Sequence, residues 1–220
     1  MLTADLVRLY PRLFHMAADG GWPSISRHGL LSTNSLLDRW EVNPATRGEL
    51  STRARRSIST IEHPEFGHAV VRDQKPIHVA SLAAALDGMT VAEWLGELNS
   101  RVFFFVQPER MLGLLSARSY RSGPHTVITI DTARFVADYE SKIELCAINS
   151  GFAQPHSKAA RGRETFQSIS SYRHPAREVA RARTPWDISE LCVGGEIQNI
   201  QKYVTRVDRM QNGEILEQIA

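Results

Sequence analysis

Cysteine is scarce in this chain, with Cys146 and Cys192 the two present in 220 residues. No CxxC pair exists, which excludes a disulfide framework and cysteine-based structural zinc and points to a reducing compartment. Long apolar runs are missing as well. Val102-Phe103-Phe104-Phe105-Val106 is typical of the longest, far short of the roughly 20 residues a membrane span requires. Met1-Leu2-Thr3-Ala4-Asp5 has no basic segment leading into an apolar one, so no secretion signal is read. These absences predict a soluble cytoplasmic protein with no membrane partner. The common catalytic signatures are absent too: no Walker A loop, no GxGxxG, no GxSxG elbow and no HExxH. His63 and His68 flank Pro64-Glu65-Phe66-Gly67, but an i, i+5 spacing does not put both on one helical face, and no metal site is expected. Lysine is the last shortage, at 4 of 26 basic residues against 22 arginines. Arginine's planar fork suits phosphate groups, although GC-rich coding produces the same bias.

What is present is an ordinary globular composition, 42% hydrophobic and 23% charged, which excludes a largely disordered chain. No repeat or low-complexity linker divides it, so a single domain is expected over residues 1–220. The net charge of +2 hides an asymmetry. From Lys158 to Arg183 seven basic residues face Glu164 and Glu178, whereas from Thr184 onward three basic residues face six acidic ones. A basic stretch before an acidic one is compatible with a nucleic-acid face and equally with a solvated surface.

Thr3 to Tyr10 reads as a helix stopped by Pro11, followed by a strand over 12–16 with Leu13 and His15 on one face and Phe14 on the other. Trp22 to Gly29 has Pro in its first turn and Gly at its stop. Residues 44–56 form a helix ending in Arg53-Ala54-Arg55-Arg56. Thr90 to Glu93 is a capping box opening a helix toward Asn99. Strands are expected at 102–106, 126–130, 143–148, 188–193 and 200–208, with helices at 108–117 and 132–139 and a turn at Gly194-Gly195. Short helices interleave with strands without regular βαβ units, which argues for an α+β fold.

Two residues break the packing pattern. His15 lies in an apolar strand, and Glu190 shares a strand face with Ile188 and Cys192, where a carboxylate is costly to bury without a partner or a task. A hydrogen-bonded core histidine and an edge carboxylate facing water are the plain alternatives. Thr184-Pro185-Trp186-Asp187 also reads as a helix start, which would move Glu190 from a strand into a first helical turn.

Leu13-Phe14-His15-Met16 followed by Trp22 to Ser32 resembles the opening of the ADP-ribosyltransferase fold, most closely the DarT-type nucleic-acid ADP-ribosyltransferase toxins. Arg53 to Ile58, Val102 to Pro108 and Ser189 to Val193 are similar, in the same order, to that family's basic segment, central strand and catalytic-glutamate strand. The sequence departs from the pattern at Ala17, where the family has Thr, and at Glu109 to Leu112, where it has Arg-Ser-Pro-Met. The blocks His28–Thr33, Arg72–Gln74 and Asn149–Gly151 also resemble an uncharacterised bacterial domain family.

The resemblance implies two packed, mainly antiparallel sheets forming a split sandwich with short peripheral helices, and an NAD-dependent enzyme. It implies Glu190 and Arg56 as catalytic residues. His15, Ser32, Asn34, Arg55, Arg72 and Phe105 would bind NAD. Asn149, Ser150, Arg163, Thr165 and Phe166 would meet the acceptor, which is DNA or RNA in the leading reading, and an antitoxin or hydrolase partner is implied. The shared order further implies that His15, Phe105 and Glu190 line one cleft. Three alternatives stand beside it: transfer to an RNA 2′-phosphate, transfer to a protein, and a non-catalytic nucleotide- or RNA-binding regulator of the same fold.

Overall fold

The computed structural model describes residues 1–157, 159–173 and 187–220. In chain order the elements that place the site are α1 (Thr3–Leu9), β1 (Arg12–Ala18), α2 (Trp22–His28), β2 (Leu30–Leu31), α3 (Thr33–Arg39), α4 (Pro44–Thr52), β3 (Ser59–His63) and β4 (Gly67–Val71). There follow α5 (Val79–Ala85), α6 (Val91–Asn99), β5 (Arg101–Phe105), α7 (Pro108–Leu115), β6 (His125–Asp131), α8 (Thr132–Tyr139) and β7 (Ile143–Cys146). The chain closes with β8 (Gln167–Ser168), β9 (Glu190–Gly194), β10 (Glu196–Ile197), β11 (Val204–Gln211) and β12 (Glu214–Gln218).

Eight strands form one sheet in the order β12-β11-β6-β1-β5-β9-β7-β8, and every pairing in it is antiparallel. The α+β expectation holds at this level. The expected two packed sheets are not seen among the described residues, where two two-stranded ladders, β10 with β2 and β3 with β4, stand beside the large sheet.

Helices cover the sheet on both faces, which explains why β5 is an unbroken apolar run rather than an alternating one. Val102, Phe104 and Val106 join Leu13, Ile128, Leu191 and the α1 and α8 residues Leu6 and Phe135 in one core. Phe105 packs on the other face with Phe14, Met16, Met111 and Leu115. Phe103 is on that second face too, against Trp94 and Leu95 of α6. The helix signals read from sequence act as expected. Thr90 and Glu93 form the reciprocal capping box of α6, and Pro23 opens α2 while Gly29 ends it. Helix α4 ends at Thr52, before the arginine run rather than within it.

The final strands differ from their expected hairpin. Ile200–Lys202 is a 3-10 turn, and β11 pairs with β6 and β12, never with β9. The cause is Gly195, at φ 77°. There the chain leaves the large sheet and continues as β10, which pairs with β2. That pairing also demands Gly29. At φ 88°, a Cβ there would stand 2.8 Å from the Ile197 carbonyl oxygen.

Candidate active site

β1 and β5 share a single residue pair, Phe14 with Phe105. Beyond it they part, and the His15 ring lies at the opening with Nδ1 2.8 Å from the Phe103 carbonyl oxygen. A carbonyl only accepts, so Nδ1 carries the proton and Nε2 is left as an acceptor. Burial lowers the His15 pKa to about 4, further depressed by the Arg72 charge and opposed by the Phe103 hydrogen bond. The ring is therefore neutral at physiological pH. It lines a first cavity of about 360 Å³, with Ala17, Gly29, Trp40, Arg72 and Phe103 among its walls. Next to Trp40 stands an aromatic cluster, His28 and Phe66 lying 5.5 and 5.4 Å from its ring.

A second cavity, about 470 Å³, is lined by Lys75, Phe105, Arg110, Tyr120, Asn149 and Ser189 among others. One contact links the walls of the two cavities. Arg72, a wall of the first, places its guanidinium carbon 5.3 Å from the ring of Tyr120, a wall of the second. Arg72 is fixed by Nη1 donating to the Met16 carbonyl, and Tyr120 donates to Asp73 at 2.6 Å.

Glu190 opens β9 and is a strand residue; the Thr184–Trp186 segment that suggested a helix lies outside the described residues, as do Lys158 and residues 174–183 of the basic stretch. It pairs with Phe105 on one side and Cys146 on the other, so its side chain shares a sheet face with Phe105. It is 6% exposed and accepts from the Ser150 amide at 3.0 Å and the Ser150 hydroxyl at 2.7 Å. Among the described residues it has no ion pair. Burial raises its pKa, against the pull of the two Ser150 bonds and of the Arg110 and Arg161 charges. Asp208, also deeply buried, is by contrast ion-paired to Arg206 at 2.7 Å.

The register separates what the resemblance had grouped. Phe14, Phe105 and Glu190 stand in a row on one face, whereas His15 turns to the other, edge-on to Phe104 at 5.8 Å. Phe105 and Glu190 come together; His15 lies in the neighbouring cavity.

The remaining expected site residues divide sharply. Arg55 is no phosphate ligand: its guanidinium donates to the carbonyls of Leu50 and Arg72 and to Asn99, locking α4 to α6. Burial lowers its pKa to about 10. Arg56 is exposed, donates to the Ile77 carbonyl and lines neither cavity, which removes it from the catalytic pair. Ser32 caps α3 through the Ser35 amide, and Asn34 accepts from Ser51; neither lines a cavity. Asn149 and Ser150 do reach the Glu190 site. Arg163 is exposed in a 3-10 turn, where Thr165 accepts from the Gly162 amide. Phe166 stacks on Trp94 at 5.6 Å and beneath the Arg101 guanidinium at 4.5 Å, a packing role rather than an acceptor contact. Glu196, which reads as a solvated turn residue, is ion-paired to Arg39 at 2.6 Å.

Lys75, Arg110 and Tyr120 were missed by sequence reasoning, since single polar residues in and after helices carry no periodic signal. Among the described residues no group of three or more His, Cys, Asp and Glu could hold a metal, and no helix is long and apolar enough to cross a membrane.

A family model described as "Family of unknown function (DUF7002)" matches residues 11–204. The chain belongs to DUF7002. No curated protein and no solved structure matches it. The DUF7002 match takes in both cavity walls, Glu190 and Ser150.

Proposed function

We propose that this DUF7002 protein is an NAD-dependent ADP-ribosyltransferase, with NAD laid across the two adjoining cavities and a nucleic-acid base as acceptor. The observation that carries the reading is Glu190, a buried carboxylate with no ion pair among the described residues, whose strand partner Phe105 and chain neighbour Ser189 line an aromatic- and cation-lined cavity. A protein keeps so costly a group where its charge has work to do.

Bound NAD supplies an ADP-ribosyl group whose bond to nicotinamide breaks with positive charge building on the ribose. The residues present suit that ligand. Phe105, sharing Glu190's face, offers a flat apolar wall to the nicotinamide ring. Glu190, held by Ser150, sets a fixed negative charge against the developing cation, an effect that a preorganised dry site makes large. Its raised pKa also suits it to take the proton that the acceptor releases. Arg72 stands where the cavities meet, the position for a pyrophosphate, and Lys75 and Arg110 add positive charge on the Glu190 side. In the first cavity the neutral His15 Nε2 accepts from a hydroxyl or amide of the ligand, and Trp40 and His28 wall a base. On this view the separation of His15 from Glu190 is the length of a dinucleotide, rather than the single cleft that the resemblance implies.

The test is nicotinamide release from NAD by the purified protein, alone and with DNA, RNA or cell lysate. Release that needs DNA or RNA supports the proposed acceptor, and release that needs lysate alone moves the acceptor to protein. NAD that raises the melting temperature but yields no nicotinamide under any condition makes the protein a nucleotide-binding regulator instead.

A further inference from the structure

Arg161 is nearly as buried as any residue in the chain, at 2% exposure, yet it lines neither cavity and forms no ion pair among the described residues. Its backbone is tied to the end of α5, where the Arg161 amide donates to Ala85 and its carbonyl accepts from Asp87. Its side chain reaches a different segment. Nη1 donates to the Ala159 carbonyl at 2.6 Å, and Nη2 donates to the carbonyls of Phe152 and Asn149. Nε has no partner. A guanidinium spent on backbone carbonyls is a clamp on the loop that carries them. That loop, residues 149–152, contains Ser150, which gives Glu190 both of its hydrogen bonds.

We propose that Arg161 is a positioning residue for Glu190, acting through Ser150: by gripping the Asn149 and Phe152 carbonyls it fixes the amide and hydroxyl that orient the carboxylate. The inference rests on Glu190 being the functional carboxylate, but its test does not need the transferase reading. The charge that comes with the clamp acts in the same direction as the two Ser150 bonds. Arg161 lowers the Glu190 pKa, and Glu190 in turn raises that of Arg161. The other titratable groups facing Glu190 are Arg110 from α7, Cys146 from β7 and Cys192 from its own strand. Both thiols are pushed up by burial and stay neutral near pH 7, leaving the arginines as the charges that matter there.

The experiment is a carbon-13 NMR titration of the Glu190 side-chain carboxyl, assigned with Glu190→Gln, in the protein without NAD. Ser150→Ala removes one donor, and Arg161→Lys keeps the charge but loses the fork that grips the two loop carbonyls. Each should raise the Glu190 pKa by about half a unit to one unit, the scale of a lost hydrogen bond to an ionised group. Because one residue acts through the other, the double variant should shift by less than the sum of the singles. Arg161→Gln should shift it further, but its buried site makes it the variant most prone to misfold, so the lysine variant decides. A folded Arg161→Lys protein with an unchanged Glu190 titration, or strictly additive shifts, would overturn the proposal. If the shifts appear and no nicotinamide is ever released, the positioning stands and the transferase reading falls.

Discussion

The His15 and Glu190 regions solve the same problem in opposite ways. Each places an ionisable side chain next to the central strand β5, out of bulk water. At His15 the backbone carbonyl of Phe103 fixes the tautomer, and burial with the Arg72 charge keeps the ring uncharged. At Glu190 two donors from one serine are spent on the carboxylate, and burial raises its pKa with no ion pair among the described residues to offset the cost. The first arrangement makes a stable hydrogen-bond acceptor suited to binding. The second keeps an electrostatically expensive group beside a cavity, which suits chemistry. On the proposed reading, recognition falls to one cavity and bond-breaking to the other.

The sharpest way to break that assignment is Glu190→Gln. NAD binding should survive while nicotinamide release falls by a factor of about 10² or more, the scale for losing one preorganised charge. Full activity in this variant would reverse the roles of the two cavities. Next in size is the pH dependence of stability. The folded His15 pKa of about 4 lies below the ordinary 6.5, so the native state binds fewer protons than the unfolded chain. Its contribution is present above pH 6.5 and is lost as pH falls from 6.5 through 4, by up to about 3 kcal/mol. Urea unfolding of wild type and His15→Gln should show their stability difference moving by that amount in the variant's favour at pH 4. Glu190, its folded pKa raised, has the opposite sign: its contribution is lost as pH rises through that pKa.

A smaller effect is expected at the junction. Arg72→Ala should weaken NAD binding about tenfold, the loss of one charge-assisted contact, with little change in the rate of the bound complex. Calorimetry and single-turnover release separate the two. Smallest of all is Glu196→Gln, which removes a half-exposed ion pair to Arg39. It should cost about 0.5–1 kcal/mol of stability and leave activity intact.

The helices α1, α2, α4, α6, α7 and α8 were legible in the sequence because their signals are local. The Thr90–Glu93 box and Pro23 at the start of α2 act within one turn. Strand β5 was legible as an apolar run, and Glu190 as a charge inside one. Register was not legible. Whether His15 and Glu190 share a face depends on Phe14, rather than His15, pairing with Phe105, and a slip of one residue reverses every side chain. Nor was the route of the last strands, since nothing beside Gly194-Gly195 shows that the chain leaves the sheet there to reach β2. The arginine-rich segment misled for a related reason. Composition shows that a guanidinium exists, but the carbonyls of Leu50 and Arg72 that consume Arg55 become its neighbours only through tertiary packing.

The central claim is that one dinucleotide spans both cavities, and competition binding with its two halves tests it most directly. Adenosine monophosphate and nicotinamide mononucleotide would be titrated against the protein singly, together and against NAD, by calorimetry or ligand-observed NMR. The account predicts that the two halves bind at the same time, that NAD displaces both, and that His15→Ala weakens adenosine monophosphate alone. Two halves that exclude one another, or NAD that displaces only one of them, would contradict it.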